Sequence, residues 1–474
     1  MFSSLVKKNE KFEYVGELAQ EIRVSEDGKS VTFVLKEGVK FHNGKDFTSA
    51  DVKYTFDKLF ESVGNKAGAF YDTVAPSPTA PPNVKTSDQK PVQEPHIVSF
   101  ETPDAKTVVI TVRRPALVNQ LLSNLVAIPI FPEGSVEQQK LSPVGSGPFR
   151  FIGFDQSQNI VELEAFADYF EGAPKIAKLR VKTVTDASSL QAELQTGGVD
   201  LAPVPSNLPP DTLNILKQAP NLKVEQFDGS NIQYIGLNTS MEPLQNVKVR
   251  QAIGYAIDKD KIIRELLSGQ AKSANSILPD TAWAYAPGTQ YTFDPPKARQ
   301  LLKESGYTNE VIRFKFASGN AAFNSYVQAI QSNLKDVGLN VEIEPLDRSA
   351  LLEQLRNGQF QMNTNIFIGG NQDPIFLKDL FTKGRIPSAT VACCNRWRYS
   401  NPDVDKLVED AINEPDRERA KELYVQAWEK ISAEAPLLPL WYPANMVVAN
   451  KRIGNIKISP SGDWSFIKDI TVTP

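Results

Sequence analysis

An α/β fold built from more than one domain is predicted by three features of the chain. Its 474 residues exceed what one hydrophobic core organises and, at roughly 150 residues per domain, imply two or three units. Runs with apolar residues at every second position alternate with runs whose apolar residues fall on one helical face. Caps, glycines and prolines mark the switches between them, and strands alternating with helices place the chain in the α/β class.

The elements follow in order. In residues 18–56, LAQEIRVSEDGKSVTFVLKEGVKFHNGKDFTSADVKYTF, Val31, Phe33 and Leu35 alternate with Ser30, Thr32 and Val34, so one side of a strand faces a core. Glu37-Gly38 breaks the run, Val39 and Phe41 resume it, and Asn43-Gly44 supplies a pair that tolerates positive φ in a tight turn. Thr48 caps a helix with Asp51 placed to return the bond, and Val52, Phe56 and Leu59 share one helical face. His42, beside the turn, reads as a surface or packing residue rather than a ligand.

Residues 75–95 crowd prolines that forbid helix and give no donors to a sheet interior, which predicts a surface loop, with an interdomain linker as the alternative. Strands over 97–101 and 108–112 complete the same small sheet. At 144–166, VGSGPFRFIGFDQSQNIVELEAF reads as a glycine turn and a hairpin. The bare amides of Gly145, Ser146 and Gly147 suit either an anion cradle or, more simply, a tight reversal that needs small residues.

In the second half, residues 232–256 carry a strand and then a helix with Val249, Ala252, Ile253, Ala256 and Ile257 on one face. Asp258 opens another helix running to Gly269, Asp294-Pro295-Pro296 a third that stops at Gly306, and Asp416 a fourth. Strands at 312–316 and 341–343 alternate with them, and residues 437–443, LLPLWYP, return toward the first part of the chain. No solenoid or propeller repeat occurs.

Composition excludes several function classes. The net charge is −4 and no basic cluster is dense enough to track a phosphate backbone, so nucleic acid is not an expected partner. The longest apolar run, 117–131, is interrupted by Asn119, Gln120, Ser123, Asn124 and Pro129 and is too short and polar to span a bilayer. The chain lacks a G-x-S-x-G elbow, H-E-x-x-H, paired CxxC and Walker loop, and its two histidines, His42 and His96, leave few places for histidine-dependent catalysis. Cys393 and Cys394 are adjacent: a strained vicinal disulfide and two free thiols are the competing readings, with a soft-metal site behind them for want of further ligands.

Three segments carry a family resemblance: residues 18–56, the Gly145-Ser146-Gly147-Pro148-Phe149 turn, and NIFIGGNQDPIF at 365–376. Together they resemble the family 5 extracellular solute-binding proteins, receptors for peptide-type ABC importers. The resemblance runs along nearly the whole chain and implies a periplasmic-binding-protein-like type II α/β fold: two lobes with mixed sheets joined by a two-strand hinge, plus a small extra subdomain. It places that subdomain at 1–143, the first lobe at 144–238 and 441–474, and the second at 239–440.

The resemblance further implies capture of a small peptide or similar solute between the lobes, delivery to the transmembrane subunits of a permease, no bond chemistry, no cofactor or metal, and a monomer. Family members are exported, whereas MFSSLVKKNEKFEYVGELA shows no export signal; the expectation is a chain lacking its leader and first strand, acting in the periplasm or on the outer face of the membrane, with contact to lipid only through that leader or a lipid anchor. Peptide-binding relatives resemble G-W-x-x-D-x-x-D-P where this chain has Phe367, Gly370 and Asp373-Pro374, so the acid that would hold a peptide ammonium is replaced by Gly370. Candidate ligand contacts are Tyr234 and Asn238 on the crossing strand, Trp283, Tyr285, Phe367, Gly370, Asn371, Asp373, Arg396 and Trp397, with Asp373 equally suited to capping a helix. Alternatives are a non-peptide ligand (oligosaccharide, opine or metal chelate) in the same receptor class, and, from other classes, a hydrolase or a holdase.

Overall fold

The computed structural model describes residues 1–62, 65–74, 92–205, 207–319, 321–369, 372–388, 391, 394–414 and 416–473. The chain forms two compact units: Met1–Thr183 with Gly454–Ile456 and Ser465–Pro474, and Val184–Ile453 with Lys457–Trp464.

The first unit is organised by β1 (Ala19–Val24), β2 (Ser30–Leu35), β3 (Ile97–Asp104) and β4 (Thr107–Val112), in the sheet order β1-β2-β4-β3 with every pair antiparallel. The alternation in β2 is realised: Val31, Phe33 and Leu35 are buried, and they join Val52 and Phe56 of helix α1 (Ser49–Glu61) in one core. The helix starts where the capping residues require. The Asp51 carboxylate accepts from the Thr48 amide at 2.9 Å and hydroxyl at 3.1 Å, and from Lys45 Nζ at 2.7 Å. Most of the proline-rich segment, residues 75–91, lies outside the described residues; its end, Val92–Pro95, is a strand paired with Tyr71–Val74 rather than loop. The expected hairpin is β5 (Phe149–Asp155) with β6 (Ile160–Ala165), extended by β7 (Lys178–Lys182).

His42 ties the glycine turn down. Its Nδ1 accepts from the Gly145 amide at 3.2 Å, so Nε2 carries the proton and donates to the Gly147 carbonyl at 2.9 Å. The Gly147 amide donates to the Met1 carbonyl at 2.8 Å. Two of the three amides that could have cradled an anion are therefore spent, and the turn is a chain reversal. Burial is the main cause that lowers the His42 pKa from 6.5 to about 4. An unfolded chain takes up this proton below pH 6.5 and the folded one only near pH 4, so the stability contributed by neutral His42 is complete above pH 6.5 and lost as pH falls toward 4. His42→Ala is expected to cost about 1–3 kcal/mol at neutral pH and to flatten this part of the pH profile, as urea titrations at several pH values would measure.

The second unit holds two sheets. A small one has the order β8 (Leu201–Pro203), β16 (Asn445–Asn450), β9 (Leu222–Phe227). The large one has the order β11 (Ala271–Ser273), β15 (Leu437–Pro443), β10 (Ile232–Leu237), β14 (Met362–Phe367), β12 (Ile312–Ala317), β13 (Val341–Leu346). Neighbours from β11 to β14 run antiparallel, whereas β14-β12 and β12-β13 are parallel, so the sheet is mixed. Successive residues of β10 serve different cores: Ile235 packs with α2 (Val247–Ala256), and Tyr234 packs with the layer that includes α6 (Arg417–Glu434). Asp258 and Asp294 cap α3 (Lys259–Glu265) and α4 (Pro295–Ser305) as expected. Helix α3 stops short of Gly269, because Ser268 (φ 52°) and Gly269 (φ 73°) turn left-handed.

Candidate functional site

Strand β9 belongs to the small sheet and β10 to the large one, so the chain passes between sheets through residues 228–231. It passes back at Ala444, between β15 and β16. These two passages touch. A Cβ on Gly229 would run into the Pro443 carbonyl oxygen, so only glycine lets the two backbones approach this closely. Asn445 fastens them: its Nδ2 donates to the carbonyls of Asp228 at 3.1 Å, Ser459 at 3.0 Å and Pro460 at 3.1 Å. The Ser230 amide donates to the same Pro460 carbonyl at 2.8 Å.

Beside this double passage lies a cavity of about 110 Å³ lined by Asp228, Ser230, Lys272, Asp280, Thr281 and Tyr442, among others, enough for several waters or one small polar group. Lys272 on β11 pairs with Asp280 and also feels the charge of Asp228. Tyr442 Oη reaches the carbonyls of Ser276 and Leu278, each at 2.6 Å, which orients the ring toward the 277–287 segment. Tyr285 in that segment lies close enough for the Asp280 charge to raise its pKa, after the larger effect of burial.

The loop after β14 is anchored to the first passage: the Gly369 amide donates to Asn231 Oδ1 at 3.1 Å and Gln372 Nε2 to Ser230 Oγ at 3.0 Å. Phe367, at the start of this loop, packs on one side against Ile232, Ala274 and Tyr442. On the other it stacks on Tyr234, with ring centres 4.2 Å apart and planes at 15°. Trp397 meets both rings edge-on, at 5.7 Å from Tyr234 and 6.2 Å from Phe367. Its Nε1 donates to the Leu380 carbonyl at 2.7 Å.

Of the residues singled out from sequence, Tyr234, Phe367 and Trp397 thus come together. Tyr234 and Trp397 are each 1% exposed, so they form the floor of an aromatic cluster, with Phe367 partly open above them. Burial pushes the Tyr234 pKa up to about 12, against a smaller opposing pull from Arg396. Asn238 is buried with its amide spent on the carbonyls of Gly358 at 3.1 Å and Phe360 at 2.8 Å, and its Oδ1 on Ser240. Trp283 packs elsewhere, edge-on to Tyr424 at 5.9 Å with Arg417 over its face at 5.1 Å.

The buried Asp373 carboxylate accepts from the Ile375 amide at 2.9 Å, just ahead of helix α5 (Phe376–Phe381). Gly370, Asn371 and Cys393 lie outside the described residues; Cys394 is disulfide-bonded. The sequence reading passed over Asp228, Gly229, Ser230, Lys272, Asp280 and Asn445. Asp280 stands three residues before Trp283 in the same ILPDTAWAYAP segment, where a lone acid ahead of two aromatics was the available signal.

With this geometry in view, comparison with known proteins is specific. Residues 13–388 match the model described as bacterial extracellular solute-binding proteins, family 5. The chain is 28% identical over 474 residues to heme-binding protein A of Haemophilus influenzae, covering 95% of this chain and 82% of that protein. It is 28% identical to the dipeptide-binding protein of Escherichia coli, covering 96% and 85%. With the glutathione-binding protein GsiB of Pectobacterium atrosepticum it shares 30% identity, covering 95% and 84%. Among solved structures, the oligopeptide-binding protein AppA of Bacillus subtilis in complex with a nonapeptide superposes with a TM-score of 0.78 at 25% identity, covering all of this chain and 93% of that one.

Proposed function

The chain belongs to the family 5 bacterial extracellular solute-binding proteins, and on that premise we propose that it is the receptor of a peptide-type ABC importer, capturing a small peptide and handing it unchanged to a membrane permease. The observation that carries this reading is the double passage. Two segments neighbouring in space and far apart in sequence, 228–231 and Ala444, link two sheets at a tight Gly229–Pro443 contact, and a paired connection of this kind supports reading them as a hinge. A solute that binds the closed form better than the open one shifts the population toward it, and the closed form is what a permease would recognise.

The aromatic cluster supports the site assignment. Tyr234 and Trp397 give a rigid floor, Phe367 an apolar face, and the anchored loop with Asp373 joins this face to the passage, while Tyr285 stands within reach of the Asp280 and Lys272 charges that line the cavity. Peptide as ligand class is supported by the relatives named for dipeptide, oligopeptide and glutathione binding. Work outside the cytoplasm, as a monomer and without bond chemistry, completes the proposal; no helix among the described residues is long and apolar enough to cross a membrane.

A non-peptide solute is the second reading, and one observation favours it: position 370, where peptide-binding relatives carry the acid that holds an ammonium, is glycine. Thermal unfolding with pools of di- to pentapeptides separates the two. A saturating peptide is expected to add about 2–3 kcal/mol at a hundredfold excess over Kd, with mass spectrometry recovering it intact. Cleaved peptide would make the protein a hydrolase. Stabilisation by sugars or chelates alone would select the second reading.

A further inference from the structure

We propose that the bond between Cys393 and Cys394 is a redox switch on the aromatic cluster. Closed, it holds the segment that presents Trp397; opened by a dithiol reductant, it loosens that segment and weakens solute capture, an effect on capture that rests on the receptor reading above. The chain has two cysteines and they are neighbours. Cys394 is disulfide-bonded, and the sequence offers it no partner but Cys393. A cross-link ordinarily stabilises a protein by closing a loop in the unfolded chain, and the gain grows with the length of that loop. Neighbouring residues close the smallest loop a disulfide can. The bond is therefore poorly suited to stapling the fold, and what it fixes is local, the peptide unit between the two residues.

Directly after it comes the turn that carries Trp397. Asn395 is fully buried. Its backbone amide donates to the Arg385 carbonyl at 3.0 Å, its Nδ2 donates to the carbonyls of Thr382 at 3.0 Å and Tyr399 at 2.8 Å, and its Oδ1 accepts from the Tyr399 amide at 3.1 Å. The Trp397 carbonyl accepts from the Thr239 amide at 2.8 Å and hydroxyl at 3.2 Å. From Asn395 onward the segment is thus clamped. Just ahead of it, the Cys394 carbonyl accepts from the Arg396 amide at 2.8 Å, and the half-buried Cys394 side chain packs against the core that includes Tyr234, Phe381 and Trp397. A change of geometry at Cys394 is passed to the clamp one residue on and to the ring floor together.

The switching step is thiol–disulfide exchange. One thiolate of the dithiol attacks a cysteine sulfur, the S–S bond breaks and the other cysteine sulfur leaves; the second thiolate then displaces the mixed disulfide. Two electrons and two protons reach the chain, so both cysteines end as thiols and the reductant as a cyclic disulfide. Consecutive Cα atoms stand at most roughly 3.8 Å apart, short of the roughly 4.4–6.8 Å that disulfides usually span, and bonds outside that geometry are the more readily reduced. Once the ring is open, the peptide unit between the cysteines is free to relax. The floor under the solute is then less pre-organised, and affinity falls with it.

The test uses the intact chain after incubation with oxidised glutathione. Denatured in iodoacetamide without reductant it should take up no label, and after dithiothreitol it should label at both cysteines, as intact mass reports. Labelling of both without reductant would overturn the proposal. In the folded protein, dithiothreitol should shift the tryptophan emission and reoxidation should restore it, while a Cys393→Ser/Cys394→Ser chain keeps the reduced spectrum under both conditions. An emission spectrum unmoved by complete reduction of the unmodified chain, which needs no variant to fold, would overturn the proposal. Reduced protein is expected to need about 3–10-fold more of the di- to pentapeptide pool for half-maximal thermal stabilisation; an equal requirement would overturn the proposal while leaving the peptide receptor standing. Where neither form binds the pool, the peptide reading falls, and the emission response decides this inference alone.

Discussion

Gly229→Ala is expected to lower stability by about 2–4 kcal/mol and to blunt ligand-induced stabilisation as well. The added methyl meets a backbone carbonyl, that of Pro443, which has no rotamer to escape into. To make room the two passages must separate, and the bonds from Asn445 to the carbonyls of Asp228, Ser459 and Pro460 stretch with them. Gly384→Ala is the matched control, because its Cβ would meet nothing within 4 Å, and it should stay within about 0.5 kcal/mol of the parent. Urea unfolding of both variants, with and without a stabilising peptide pool, measures the comparison. A Gly229→Ala protein as stable and as responsive as the parent would show that the close approach of the strands has no bearing on stability or capture.

Trp397→Ala is the second large effect, with a loss of about 3–5 kcal/mol. The indole is among the largest fully buried side chains, it touches Tyr234, Phe367 and Phe381, and its N–H satisfies the Leu380 carbonyl. There is little room to collapse into the void from the sheet side: even a methyl on Gly236 would stand 2.9 Å from the indole ring and 2.6 Å from Asn363 Oδ1. Trp397→Phe should recover most of the packing but leave the Leu380 carbonyl unpaired, a residual cost near 1 kcal/mol. Near-ultraviolet circular dichroism would follow loss of the aromatic cluster, and denaturant midpoints its energetic cost.

Most of the fold was legible because its signals are local. The alternation of Val31, Phe33 and Leu35, the Thr48–Asp51 cap, and the Asp258, Asp294 and Asp416 helix starts each depend on a few neighbouring residues, and each was realised. The strand at Val92–Pro95 escaped notice because its prolines argue for a loop and its partner, Tyr71–Val74, is remote. The site was legible only in part for the same reason. Aromatic type suggested Tyr234, Phe367 and Trp397, but type alone cannot tell an open stacking face from a sealed floor, and that distinction comes from helices packed over them. Asn238 looked available until its amide was seen to be spent on Gly358 and Phe360. Gly229 carries no signal of its own, since what excludes a side chain there is a carbonyl more than two hundred positions away.

The middle of the large sheet has a bearing on how the protein is made. Strand β10 is flanked by β14 on one edge and by β15 on the other, with Gly236 opposite Leu437. On the ribosome, then, one side of β10 stays without a neighbour until Leu437–Pro443, far along the chain, has emerged, and joining such distant segments is slow. Products released early would expose that bare, strongly apolar strand, a template for sticking to one another, so premature termination should yield insoluble material rather than a smaller working receptor.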